Sequence, residues 1–169
     1  MVGSAVSPNQ FTFSALIGAA AKADDVEQAS EWVKEARMRG LNLTFPGHGT
    51  WVSLLCRRGL LEQAQAALDR VRLEGWKPDA AMYTQLMRSF AERGRESEAV
   101  GVLERMLARG LQPTKAALRF MADYPLLAAR AATCKPVSGG DFKRSRILSN
   151  VRDKWANPDF QAELGQSRR

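Results

Sequence analysis

This 169-residue chain predicts an all-α fold. The expected architecture is an α–α superhelix, a solenoid of about three 35-residue helix–turn–helix repeats with a partial fourth and a basic C-terminal tail. Three observations predict it. Gly40, Gly75 and Gly110 stand 35 residues apart, and Ala29, Ala64 and Ala99 keep the same step. A fixed period of this kind marks one structural unit copied in tandem. Within each copy the apolar residues recur at helical spacing, with no alternation of period two. Turn residues return at matching places in every copy, so the punctuation is periodic too.

The first copy opens with a helix over 10–22, where Phe13, Leu16, Ile17 and Ala20 share one face. A break at 23–25 leads to a second helix over 25–39, carrying Val26, Ala29, Val33 and Ala36. The second copy repeats this with helices over 46–57 and 60–73, the break falling at Gly59 and the apolar face running through Leu61, Ala64, Leu68 and Val71. The third places helices over 80–92 and 96–109, broken at Gly94, with Ala99, Leu103 and Met106 facing inward. Each second helix ends at one of the periodic glycines, which close a helix in the left-handed conformation. Thr44, Asp79 and Thr114 follow where the next helix needs an N-cap. The repeat frames are therefore 10–44, 45–79 and 80–114, then a partial repeat or cap over 115–133 and a basic tail over 134–169, partly flexible with short helices. One hairpin cannot bury its own apolar face, whereas stacked copies can.

Several stretches resemble the pentatricopeptide repeat family: Pro-Asn-Gln-Phe-Thr-Phe-Ser-Ala-Leu-Ile (8–17), Ala-Met-Tyr-Thr-Gln-Leu-Met (81–87), and the closing turns at 36–41 and 104–114. The related tetratricopeptide repeat has 34 residues, one fewer than the period here. The resemblance covers about residues 8–123. It implies a groove lined by first helices that binds single-stranded RNA, one base per repeat. The positions matching the family's base-contacting pairs are Ser14 with Thr44, Gly49 with Asp79, and Thr84 with Thr114. Phe11, Pro46 and Ala81 match the residues that wedge between bases. Only Asp79 supplies the family's Asp or Asn at the repeat end, and its partner Gly49 has no side chain. The bland alternatives stay open: Thr44, Asp79 and Thr114 are also N-caps, and Phe11 is also a staple at the free end of the stack. Gly47 and Gly49 at a helix start suggest a degenerate repeat or close backbone approach to a partner.

Charge is unevenly distributed. Residues 1–124 hold 16 basic and 14 acidic groups, while 125–169 hold 9 and 4, so most of the net +7 lies in the last quarter. A basic tail is a footprint of nucleic-acid partners. Lys22 and Arg57 are one period apart at a place matching the family's phosphate-contacting Lys, with Arg58 and Arg88 also on first helices and Glu92 interrupting the row. In the tail, 146–160 is similar to a short helical nucleic-acid-binding module, which would make Lys143, Arg144, Arg146, Arg152 and Lys154 phosphate contacts. Ile147, Leu148, Val151 and Trp155 can share one helical face, so this segment also reads as an amphipathic dock for a protein partner.

Catalytic material is scarce. His48 is the only histidine, and Cys56 and Cys134 fit neither a zinc nor a redox spacing. No cofactor or metal is expected. The longest apolar run, 15–21, is far short of a membrane span, so no membrane insertion is expected. The seven residues before Pro8 are too short for a transit peptide and contain no Arg. A mitochondrial or plastid address is what the resemblance implies. The expected function is a non-catalytic RNA-binding adaptor in organelle RNA processing, stability or translation. The rival is a structural or protein-interaction subunit of a larger ribonucleoprotein or protein assembly.

Overall fold

The computed structural model describes residues 8–132. The tail cations and the 146–160 segment lie outside the described residues. Among the described residues the regular elements are helices: α1 Gln10–Lys22, α2 Val26–Met38, α3 Phe45–Arg58, α4 Leu61–Leu73, α5 Ala80–Ala91, α6 Glu96–Leu107, α7 Lys115–Met121 and α8 Pro125–Ala132. They divide between two compact units, one ending at Ser89 and the other beginning at Phe90, inside α5.

In the first unit α1 packs on α2 and on α3, and α3 packs on α4. Of the faces the periodicity points to, Phe13, Ile17, Ala20, Ala29, Val33, Ala36, Leu61, Ala64, Leu68 and Val71 are buried, whereas Leu16 and Val26 are only half-buried; Val52 and Leu55 complete the core. Ala29 and Ala64 have no exposed surface, so a larger side chain there would force the two helices of a hairpin apart. In the second unit α8 packs on α6 and α7, over Val102, Leu103, Met106, Leu118 and Leu127.

The turns follow from backbone chemistry. Gly40, Gly75 and Gly110 have φ of 69°, 85° and 72°. Each donates its N–H to the carbonyl three residues back, and the next residue donates to the carbonyl five back: Leu41 to Ala36 at 2.9 Å, Trp76 to Val71 at 3.0 Å, Leu111 to Met106 at 3.2 Å. This double closure satisfies carbonyls that a helix end otherwise leaves open. Thr44, Asp79 and Thr114 then accept the backbone N–H of Gly47, Met82 and Ala117 at 3.2, 2.9 and 3.2 Å, so all three are N-caps. The hairpin breaks use Gly59 and Gly94 at positive φ, and Asp24 takes the same conformation at φ 56° in the first copy. The last hairpin is shorter, with seven residues in α7 and eight in α8, and Pro125 starts α8 where its missing N–H costs nothing.

One polar cluster was not visible in the sequence. His48 is buried, and its Nε2 lies 2.8 Å from Oε2 of Glu74, whose other oxygen is 3.5 Å from Arg70 Nε. Burial, and then the nearby Arg70 guanidinium, pulls Arg37 below its usual value, partly offset by Glu74. His48 is thus a paired interior residue tying α3 to the end of α4. Cys56 is buried, as its apolar neighbours lead one to expect.

Candidate nucleic-acid interface

Helical spacing sorts each first helix into a buried stripe and an open one. On α1 the open stripe is Phe11, Ser14, Gly18 and Lys22, and on α3 it is Pro46, Gly49, Thr50, Ser53 and Arg57. Between these stripes, within the first unit, lies a cleft of about 500 Å³. Lys22, Pro46, Gly49 and Arg57, all singled out from sequence, line it. Gly18, Thr50 and Ser53 line it as well and were missed. Their signal was simple: they continue the i, i+4 steps that join the expected residues. Ser53 Oγ accepts a 2.8 Å bond from Gln85 Nε2, tying α3 to α5 at the cleft wall.

The Ser14–Thr44 pair is in contact. Ser14 Oγ donates to the Gln10 carbonyl at 2.8 Å and accepts from Thr44 N–H at 3.1 Å and from Thr44 Oγ1 at 2.9 Å. Thr44 Oγ1 in turn accepts from Gly47 N–H. Each hydroxyl has one proton to give, and both are spent inside the protein. Gly47 permits this closeness. A Cβ built there would sit 2.6 Å from Ser14 Oγ and 2.9 Å from Ser14 Cβ. The close approach at Gly47 is therefore to α1 of the same chain rather than to a partner.

At the next junction the sizes are reversed. A Cβ on Gly49, which is in register with Ser14, would lie 3.3 Å from Met82 Cε, and Met82 is in register with Gly47 and buried. Asp79 is exposed and caps α5. Thr84 Oγ1 is buried without a hydrogen-bond partner among the described residues. Thr114 caps α7 in the second unit and is exposed.

Phe11 is 66% exposed. Pro46 and Ala81 are exposed too. Lys22 is exposed in the last turn of α1. Arg57 is more constrained. Its Nη2 donates to the Ala21 carbonyl at 2.6 Å and lies 3.4 Å from Asp24 Oδ1, while Arg58 Nη1 holds Asp24 Oδ2 at 3.1 Å. These guanidiniums answer the open carbonyl end of α1, where cations are favoured. Arg88 is exposed on α5. Among the described residues no group of His, Cys, Asp and Glu is arranged to hold a metal, and no helix is long and apolar enough to cross a membrane.

Two family profiles match the chain: the pentatricopeptide repeat domain over residues 67–117 and the PPR repeat over 11–41. The chain carries pentatricopeptide repeats over these two stretches. Among curated relatives, it is 30% identical over 108 residues to the pentatricopeptide repeat-containing protein CRR2, chloroplastic, of Arabidopsis thaliana, covering 64% of this chain and 16% of that protein. A second pentatricopeptide repeat-containing protein of Arabidopsis thaliana is 25% identical over 113 residues, covering 67% of this chain and 14% of its own length. The chain thus spans about one-sixth of the relatives it matches. Among solved structures, the pentatricopeptide repeat protein PPR10 from maize aligns over 90% of this chain and 22% of its own, with a TM-score of 0.68 at 20% identity. The PPR domain of Arabidopsis thaliana protein-only RNase P 1, solved in complex with tRNA, aligns over 96% of this chain and 81% of its own, with a TM-score of 0.67 at 14% identity. At these identities the likeness establishes the α–α solenoid fold class of pentatricopeptide repeats.

Proposed function

We propose that this pentatricopeptide repeat chain binds single-stranded RNA as a non-catalytic adaptor in organelle RNA processing, stability or translation. The observation that carries the reading is the cleft between α1 and α3, which gathers Lys22, Arg57, Pro46 and Gly49 from register positions of the repeat. Solved relatives of the same fold in complex with RNA support it, PPR10 with an 18-nt psaJ RNA element among them. The chloroplastic relative supports an organelle address, mitochondrion or plastid.

Within this reading the first helices contribute Phe11, Ser14, Gly49 and Thr84 to the base-facing row, and Thr44, Asp79 and Thr114 stand at the repeat ends. Lys22, Arg57 and Arg88 are the phosphate contacts of the first helices, and the tail cations Lys143, Arg144, Arg146, Arg152 and Lys154 are further phosphate contacts. Stacking contributes about 1–3 kcal/mol per base, and three repeats address about three nucleotides, so charge supplies much of the affinity. Because Ser14 and Thr44 have spent their protons on each other and on Gln10, the first repeat has little left with which to read a base. That observation favours a second reading, in which the array serves as a protein-binding subunit of a larger ribonucleoprotein and companions supply specificity.

The test is binding of the purified chain to mixed single-stranded RNA oligonucleotides across a salt series, for the wild type, Lys22→Ala, and a variant with all five tail cations changed to Ala. If all five tail cations contact phosphates, their loss flattens the slope of log K against log salt by roughly 3.5, and loss of Lys22 flattens it by about 0.7. Absence of binding at low salt refutes the RNA reading for this chain and leaves the protein-assembly one.

A further inference from the structure

The outward rows of the second helices change character at one end of the molecule. The second helical residue is Glu27 in α2, Glu62 in α4 and Ser97 in α6, but Leu126 in α8. The fifth is Ser30, then Gln65, then Val100 and Ala129. Polar side chains in the earlier helices thus give way to apolar ones. Leu126 is 51% exposed although its neighbours Leu127 and Ala128 are buried. Val100, Leu126 and Ala129 line an open groove of about 470 Å³ between α6 and α8, with Ser97 and Arg130 at its edges. A solenoid end of this kind needs a cover, because each copy normally shields the next.

From these observations we infer that the groove between α6 and α8 is the docking site for residues 142–155 of the same chain. Three features select that occupant. The chain leaves α8 directly beside the groove, and the nine residues 133–141 can span up to about 30 Å when extended, against about 12 Å for the length of α8. Segment 142–155 carries Ile147, Leu148, Val151 and Trp155, which at 3.6 residues per turn fall within about 100° of one another. Third, charge does not oppose the docking: Glu96, Glu98 and Glu104 at the groove are balanced by Arg95, Arg105 and Arg130, with Glu98 held by Arg95 and Glu104 by Arg130. The five cations of the segment therefore meet no excess of positive charge, and apolar burial holds it. This docking is independent of whether the protein binds RNA.

Hydrogen–deuterium exchange on the full chain, without RNA, tests it. Wild type is compared with the double variant Ile147→Asp, Trp155→Asp and, separately, with Leu126→Asp. The tail variant is expected to exchange amides of 97–101 and 126–130 about tenfold faster than wild type, with rates around Leu54 and Leu68 unchanged. Leu126→Asp is expected to speed exchange across 145–155 in return. The tail substitutions lie outside α1–α8, so their effect on the groove is readable even if Leu126→Asp misfolds. Identical groove rates in wild type and tail variant overturn the proposal. Groove protection that disappears on about hundredfold dilution also overturns it, since mass action then assigns the cover to a second copy.

Discussion

The junction between α1 and α3 and the junction between α3 and α5 use the same two register positions in opposite ways. In the first, Ser14 projects from the earlier helix and Gly47 yields on the later one, where an added Cβ would lie 2.6 Å from Ser14 Oγ. In the second, Gly49 yields on the earlier helix and Met82 projects from the later, its Cε 3.3 Å from an added Cβ. Each junction needs one small and one larger partner, and neither residue alone is fixed. At these positions the first closes with hydrogen bonds and the second with thioether packing, the Gln85–Ser53 hydrogen bond of the second lying one turn further along α3. The constraint at Gly49 is the weaker of the two, because only the tip of a flexible methionine stands in the way of a side chain there.

Substitutions that fill or empty these positions break the comparison in order of size. Gly47→Ala drives a methyl into both Oγ and Cβ of Ser14, so rotating Ser14 does not relieve it, and the helices must separate. Denaturant unfolding is expected to show a loss of about 2 kcal/mol. A loss below the noise of the measurement would mean that the close approach is not rigid. Ser14→Ala leaves the Thr44 N–H and Thr44 hydroxyl without their acceptor and should cost about 1 kcal/mol. The same variant should leave the RNA base preference unaltered, since the Ser14 proton is already held by Gln10. A changed preference in oligonucleotide competition would return Ser14 to the base-reading set. Gly49→Ala meets only the tip of a flexible methionine, and its gain in helix propensity should outweigh the contact, giving a stabilisation of about 0.5 kcal/mol. A loss there comparable to that of Gly47→Ala would erase the distinction between the two junctions.

How legible each part was depends on how local its physics is. The helices, the left-handed closures at Gly40, Gly75 and Gly110 and the caps at Thr44, Asp79 and Thr114 depend on residues within one turn of each other, so pattern sufficed. The open stripe was half legible. Lys22, Pro46, Gly49 and Arg57 were picked out and meet in one cleft, yet Gly18, Thr50 and Ser53 passed unnoticed because small residues carry no chemical flag. Phe11 reads from sequence as a staple or a wedge, and the fold leaves it exposed.

Sequence by itself determined the period, the helix type and the buried stripes, because those follow from backbone closure and from burying apolar faces at 3.6-residue spacing. The tertiary structure alone decided which polar groups remain available. Arg57 reads from sequence as a phosphate contact alone, and only the fold shows that the same half-exposed side chain also holds the Ala21 carbonyl and Asp24. His48 and Glu74, 26 residues apart, share no motif and meet only because α3 and α4 fold back together. Hydrogen bonds act over about 3 Å, and only the packed chain states which donors and acceptors come within that reach.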